Sequence, residues 1–352
     1  MAISSLPSTR DNARRFISRH PAWRPGDELP WDSLFKDSSK PLASGFGAYG
    51  GHVYAQSSLA AARVIEDESR NIDKESSQEG VFGIHSIHAS FTRPGLTDRP
   101  FIYEVTPVTS GRSFAVSMVN VRQPKQPSEE PSGPYPTTDA DLPLNGVCLS
   151  CITTFKRSLP GQDDVQEPQS AQQRYADILS SRAPDQWDAC PQLDLDAVKD
   201  MFPGAGPGAF PILDMRKVDM TAYNATRPYT EQRELHYYRL LKPLPKDDVN
   251  AHIACHAFEA DRNGLLMLGN HVDYGRGLAK AASLSYSFYV HVNAEEAVMD
   301  DQKWWLQEIC WPRLTAGRAM MESKLWSPEG KHIASAYQDG ILLPSQRQAT
   351  KL

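Results

Sequence analysis

The sequence predicts an α+β fold of two tandem units, each a central helix wrapped by an antiparallel sheet. Three observations carry this expectation. A helix followed by four strand-like runs occurs twice, once in each half of the 352 residues. The third strand of each set follows a near-identical turn, Thr109-Ser110-Gly111-Arg112 and Thr315-Ala316-Gly317-Arg318. A stretch rich in Gln, Asp, Pro and Gly, residues 158–210, separates the halves and reads as a linker.

In the first half, Gly51 to Glu68 carries helical spacing, with Val53, Ala60, Ala61, Val64 and Ile65 on an apolar face. Strand-like runs follow at Val81–Phe91, Phe101–Val105, Ser113–Val121 and Val147–Phe155. Residues 124–143 hold six prolines and read as a loop inserted between two strands. Within the linker only Ala171–Leu179 has a helical pattern. In the second half, Arg233–Leu241 reads as a strand and Asp248–Glu259 as a helix, with Ile253, Ala254, Ala257 and Phe258 apolar. Strands are expected at Ser283–Val292, Trp304–Trp311, Ala319–Trp326 and His332–Leu342. A long helix followed by consecutive antiparallel strands is the hotdog plan, and two in series make a tandem double hotdog. The expected units are 1–157, the 158–210 linker, and 211–352.

With 43 acidic against 37 basic side chains, a net charge of -6 argues against nucleic acid or an anionic membrane as the partner. No apolar run approaches the roughly 20 residues of a spanning helix. The five cysteines are odd in number and scattered, and no secretory h-region follows the start, so a disulfide framework is not expected. Arg10, Arg14, Arg15 and Arg19 give the first residues a presequence-like bias, but the following Trp23–Trp31 stretch reads as a surface arm. Thr350-Lys351-Leu352 differs by one small residue from the Ser-Lys-Leu address, which favours a peroxisomal over a cytoplasmic location.

Several motifs invite chemistry that their context does not support. Gly45-Phe46-Gly47-Ala48-Tyr49-Gly50 matches G-x-G-x-x-G, but polar, proline-broken residues precede it and no βαβ alternation follows. It reads as a glycine-rich entry to a helix. His252 and His256 share a helix face, yet the glutamate of a zinc protease and a clear third ligand are missing, so no metal is expected. Cys148 and Cys151, three apart in a strand, face opposite sides and read as buried small apolar residues. No G-x-S-x-G occurs, which disfavours a nucleophile-elbow hydrolase. Taken alone, Asp261 reads as a helix-end residue, while Ser283 opens a strand and Gln338 lies near a strand end.

The motifs in combination resemble the acyl-CoA thioesterase II family, the double-hotdog thioesterases of bacteria and peroxisomes. The likeness is carried by Gly50-Gly51-His52-Val53-Tyr54-Ala55-Gln56 and by His85-Ser86-Ile87-His88 with Phe91, Arg93, Pro94 and Gly95. Tyr103-Glu104-Val105 and Gly111-Arg112-Ser113-Phe114 follow. In the second half the order is kept by Ala260-Asp261-Arg262-Asn263, Ser283 to Ser287, and Ala334 to Gly340. The resemblance implies that Asp261 is a general base, with Ser283 and Gln338 orienting one water for attack on a thioester carbonyl. It implies an acyl-CoA substrate, no cofactor, and a homodimer or higher oligomer. Arg93, Arg112 and His85 are the candidate substrate-binding residues.

The chain departs from the family pattern at several positions. Ser285-Tyr286 stands where Asp-His is usual, Val292 where an arginine follows the retained His291, and His52 where glutamine is usual. These changes motivate two alternatives. One is a biosynthetic tailoring enzyme of the same fold acting on a polyketide-like or carrier-bound acyl chain. The other is a non-catalytic acyl-binding protein.

Overall fold

The computed structural model describes all residues except 9–12, 31–46, 74–80, 162, 205–210, 263, 273, 275–277 and 345–352. Gly45 and Phe46 of the glycine run, Asn263 and the terminal Thr350-Lys351-Leu352 lie outside the described residues. The strands are β1 (Ile3–Leu6), β2 (Arg14–Ser18), β3 (Gly83–Phe91), β4 (Ile102–Ser110), β5 (Phe114–Arg122), β6 (Leu149–Lys156), β7 (Asp188–Ala189), β8 (Leu213–Lys217), β9 (Glu234–Leu240), β10 (Leu278–Val290), β11 (Trp305–Thr315), β12 (Arg318–Trp326) and β13 (His332–Pro344). They form one sheet in the order β1-β2-β4-β5-β6-β3-β10-β13-β12-β11-β9-β8-β7. Every pairing is antiparallel. The two units meet at the β3–β10 seam, where Ser287 faces His88.

Four helices position the site: α1 (Gly50–Asp73), α2 (Asp196–Met201), α3 (Val249–Ala260) and α4 (Gly264–His271). Residues 51–62 of α1 are all buried, because its own sheet covers one side and α3 the other. Ala55, Ala60, Ala61 and Ala62 keep that approach close. The buried Ser57 and Ser58 satisfy their hydroxyls on the helix itself, donating to the Val53 and Ala55 carbonyls. The two helices run antiparallel. Tyr49, just before α1, donates its hydroxyl to the Phe258 carbonyl near the end of α3 at 2.8 Å. Further along α1, Arg63 grips Asp248, the N-cap of α3, at 3.0 and 2.6 Å. The beginning of one unit's helix therefore sits beside the end of the other's.

The paired turns behave as their sequences predict. Each closes a hairpin, β4–β5 and β11–β12, and Gly317 takes φ 71°, a conformation that favours glycine. The 124–143 segment is a loop between β5 and β6, anchored by the fully buried Tyr135, whose hydroxyl reaches the Thr97 carbonyl at 2.5 Å. Three stretches carry more structure than their sequence suggests. The arginine-rich start contributes β1 and β2, with Phe16, Ile17 and Ser18 buried after Arg14 and Arg15. The linker supplies α2 and the two-residue β7, which pairs with β8 at the sheet edge. The apolar run after Asp261 forms α4. The described part of the Trp23–Trp31 stretch is not a surface arm: Trp23 packs edge-on against Tyr49 with centroids 5.1 Å apart and Leu29 is buried, while Trp31 lies outside the described residues.

Candidate active site

Asp261 follows the last residue of α3 and is buried. Its Oδ2 accepts the Gly51 N–H at 2.7 Å, from the first turn of α1 in the other unit. Its Oδ1 accepts from Gln338 Nε2 at 2.5 Å, and the same amide nitrogen donates to Ser283 Oγ at 2.6 Å. Because Gln338 spends both N–H bonds on acceptors, Ser283 keeps its own hydroxyl proton to donate elsewhere. Burial pushes the Asp261 carboxyl up to about 7, while the Gly51 N–H and the Gln338 amide pull the other way. Asp261 is a helix-end residue, as its sequence position suggests, but its carboxyl is satisfied by the other unit's Gly51 N–H and by Gln338, not by its own helix.

The strands explain why these side chains converge. On β13, Gln338 points inward opposite the buried Tyr286 of β10. Between Ser283 and Ser285 the register slips by one, so Leu284 is an extra residue on β10. That bulge returns Ser283 to the inner face beside Gln338. Ser283 therefore lies within a long strand and not at its beginning. The departures from the family pattern then separate. Ser285 pairs with Asp339 and Ser90 on the opposite face, whereas Tyr286 and Val292 are buried in the core.

A cavity of about 480 Å³ opens beside this trio and is lined by Asp261, Ser283 and Gln338 together with Phe91, Phe101 and Leu265. Its volume suits a small organic group or an acyl chain. Gly47, Gly50, Pro94 and Gly95 also border it. A Cβ on Gly47 would lie 3.0 Å from the Gly95 carbonyl and one on Gly50 only 3.2 Å from Asp261 Oδ2. The glycine run thus lets the α1 entrance close onto the carboxylate, and the antiparallel sheet leaves no dinucleotide crevice. Gly50, the first residue of α1, finds no acceptor for its N–H among the described residues.

Of the three candidate substrate-binding residues, Arg93 lines the cavity and is exposed. Arg112 sits on the β4–β5 turn and His85 bonds Thr154 at 3.3 Å, and neither borders the cavity. Lys280, an exposed residue on β10, lines it with Arg93 and escaped the sequence reading because nothing local distinguishes it. His252 and His256 are fully occupied by protein. The first accepts the Met299 N–H and donates to the Pro245 carbonyl, and the second sits between the Tyr238 hydroxyl and the Ala297 carbonyl. No cluster among the described residues could hold a metal ion. All five cysteines are free, and burial raises Cys148 to about 11 and Cys151 to about 12, so neither is a poised nucleophile.

Sheet, paired helices and inter-unit carboxylate together define a double-hotdog protein. The likeness to the acyl-CoA thioesterase II family read from the sequence is borne out: residues 39–133 match the acyl-CoA thioesterase N-terminal domain. The fold is shared with TesB2, an acyl-CoA thioesterase II of Mycobacterium marinum, at 20% identity and TM-score 0.56, covering 85% of this chain and 90% of that one. A tesB protein of Mycobacterium avium subspecies paratuberculosis superposes with TM-score 0.57 at 16% identity, covering 94% and 93%. A hotdog protein of unknown function from Alicyclobacillus acidocaldarius gives 0.54 at 13% identity, covering 97% and 96%. No curated protein sequence matches. No helix among the described residues is long and apolar enough to cross a membrane.

Proposed function

We propose that the protein is a thioester hydrolase that cleaves an acyl-CoA to the free acid and CoA, with Asp261 as the general base. The observation that carries this reading is a buried carboxyl near pKa 7 on the wall of an apolar cavity, held by Gly51 and Gln338. A base of that strength is half ionised at neutral pH and well matched to removing a proton from water.

In this mechanism Asp261 takes a proton from a water as its oxygen bonds to the thioester carbonyl carbon. Ser283 holds that water or the carbonyl through its uncommitted hydroxyl. The oxyanion is met by the Gly50 N–H at the positive end of α1. Collapse of the tetrahedral intermediate breaks the C–S bond, and the proton held by Asp261 passes to the departing thiolate. Arg93 and Lys280 supply positive charge for the phosphates of CoA. The test is thiol release from short, long and branched acyl-CoAs. Turnover well above background supports the reading. A folded protein that binds acyl-CoAs and releases no thiol from any of them overturns it in favour of a tailoring or purely binding role.

A further inference from the structure

We propose that the linker stretch around Leu193 is the end-stop for the acyl chain, so that chain length is selected by a residue outside both hotdog units. The inference deepens the hydrolase reading and rests on it for the identity of the ligand. Leu193 borders the cavity yet is only 1% exposed, so it closes an interior wall, whereas the exposed Arg93 and Lys280 mark the mouth. Leu193 belongs to a small apolar cluster of its own with Leu29, Leu195, Val198 and Phe202, against which Leu266 of α4 packs.

An end-stop must be rigid, and this one is pinned on both sides. Before it, the buried Arg262 donates to the carbonyls of Pro191 and Gln192 and lies 5.2 Å over the Trp23 ring. After it, Asp194 is held by Lys217 at 2.7 Å, and its carbonyl accepts from Asn270 at 3.1 Å. The Leu193 side chain also rests on the turn at Gly26, where an added Cβ would lie 2.6 Å from Leu193 Cδ1. Arg262 directly follows Asp261, so the catalytic end of α3 and the stop share one anchor. The chemistry of the wall fits an apolar tail: among the described residues the linker side of the cavity lining is Leu193, which carries no charge.

The experiment measures dissociation constants for a graded series of non-hydrolysable acyl-CoA thioethers with wild type, Leu193→Ala and Leu193→Trp, and checks folding by near-UV circular dichroism. Each methylene that enters an apolar cavity is worth about 4-fold in affinity. Leu193→Ala is expected to tighten binding of the longest chains by about ten-fold or more, with the shortest unchanged. Leu193→Trp is expected to lose the long chains; if that variant does not fold, the alanine variant decides alone. A folded Leu193→Ala protein with the wild-type chain-length profile overturns the inference. A shifted profile in a protein that releases no thiol would uphold the stop and refute the hydrolase. Failure of wild type to bind any thioether would refute both.

Discussion

The backbone N–H of Gly51 and the carboxylate of Asp261 meet at 2.7 Å across the junction of the two units. One residue opens the first unit's helix and the other ends the second unit's helix. Neither unit alone holds this contact: the antiparallel packing of α1 on α3 brings a positive helix end to a carboxyl whose pKa burial raises.

The pH dependence of turnover follows from that balance. Asp261 acts as a base only when ionised, so kcat/KM is expected to rise about tenfold per pH unit up to about pH 7 and then level. Removing the Gly51 contact raises the carboxyl further. A Cβ at Gly51 would fall 2.7 Å from the Tyr49 ring and 3.0 Å from the Phe258 carbonyl, so Gly51→Ala should displace the helix entrance. Its pH–rate inflection should move to higher pH, and an unchanged inflection would contradict the assignment.

The same group makes a prediction about stability. Its folded pKa lies above the ordinary 3.8, so its ionisation opposes folding: the full stability is present below about pH 4 and is lost as pH rises through about 7. The loss has a ceiling of about 4 kcal/mol. Urea denaturation of wild type and Asp261→Asn across pH 4–8 should show the variant gaining on wild type as pH rises. Parallel curves would mean that the carboxyl is not buried as described.

Gln338 and Ser283 should differ in weight. Gln338 bonds both partners and Ser283 only one. Gln338→Ala is expected to lower kcat more than Ser283→Ala, by about ten-fold or more, because it leaves a buried charge short of a donor. Gln338→Glu should raise the apparent pKa, since two carboxylates at this separation share a proton. Steady-state kinetics on the three variants checks the order.

His256 serves as a brace. Its Nε2 faces the Ala297 carbonyl at 2.9 Å and must carry the proton, so Nδ1 accepts from the Tyr238 hydroxyl, also at 2.9 Å. Burial depresses its pKa to about 4. Nitrogen NMR should find a neutral Nε2–H tautomer that does not titrate between pH 8 and 5. Titration near the ordinary 6.5 would contradict this placement.

The repeated helix-and-strand order and the paired turns were legible because periodicity is local, and both halves folded as those patterns predict. Asp261, Ser283 and Gln338 were legible only through the resemblance, since their convergence depends on a bulge at Leu284 that no residue type announces. Gly51 was visible as part of a glycine run but not as a donor, because its acceptor lies 210 residues away. Arg112 and His85 were read as substrate contacts by motif, and neither borders this cavity. Leu193 sat in a stretch without periodicity, where nothing local announces that it borders the cavity or that Arg262 and Lys217 hold its neighbours Gln192 and Asp194.

Thiol release by wild type and Asp261→Asn, measured side by side on the best acyl-CoA substrate with equal folding confirmed, tests the central claim most directly. Wild-type turnover that falls by about 10²–10⁴ in the variant is the predicted result. A variant as active as wild type would contradict Asp261 as the base.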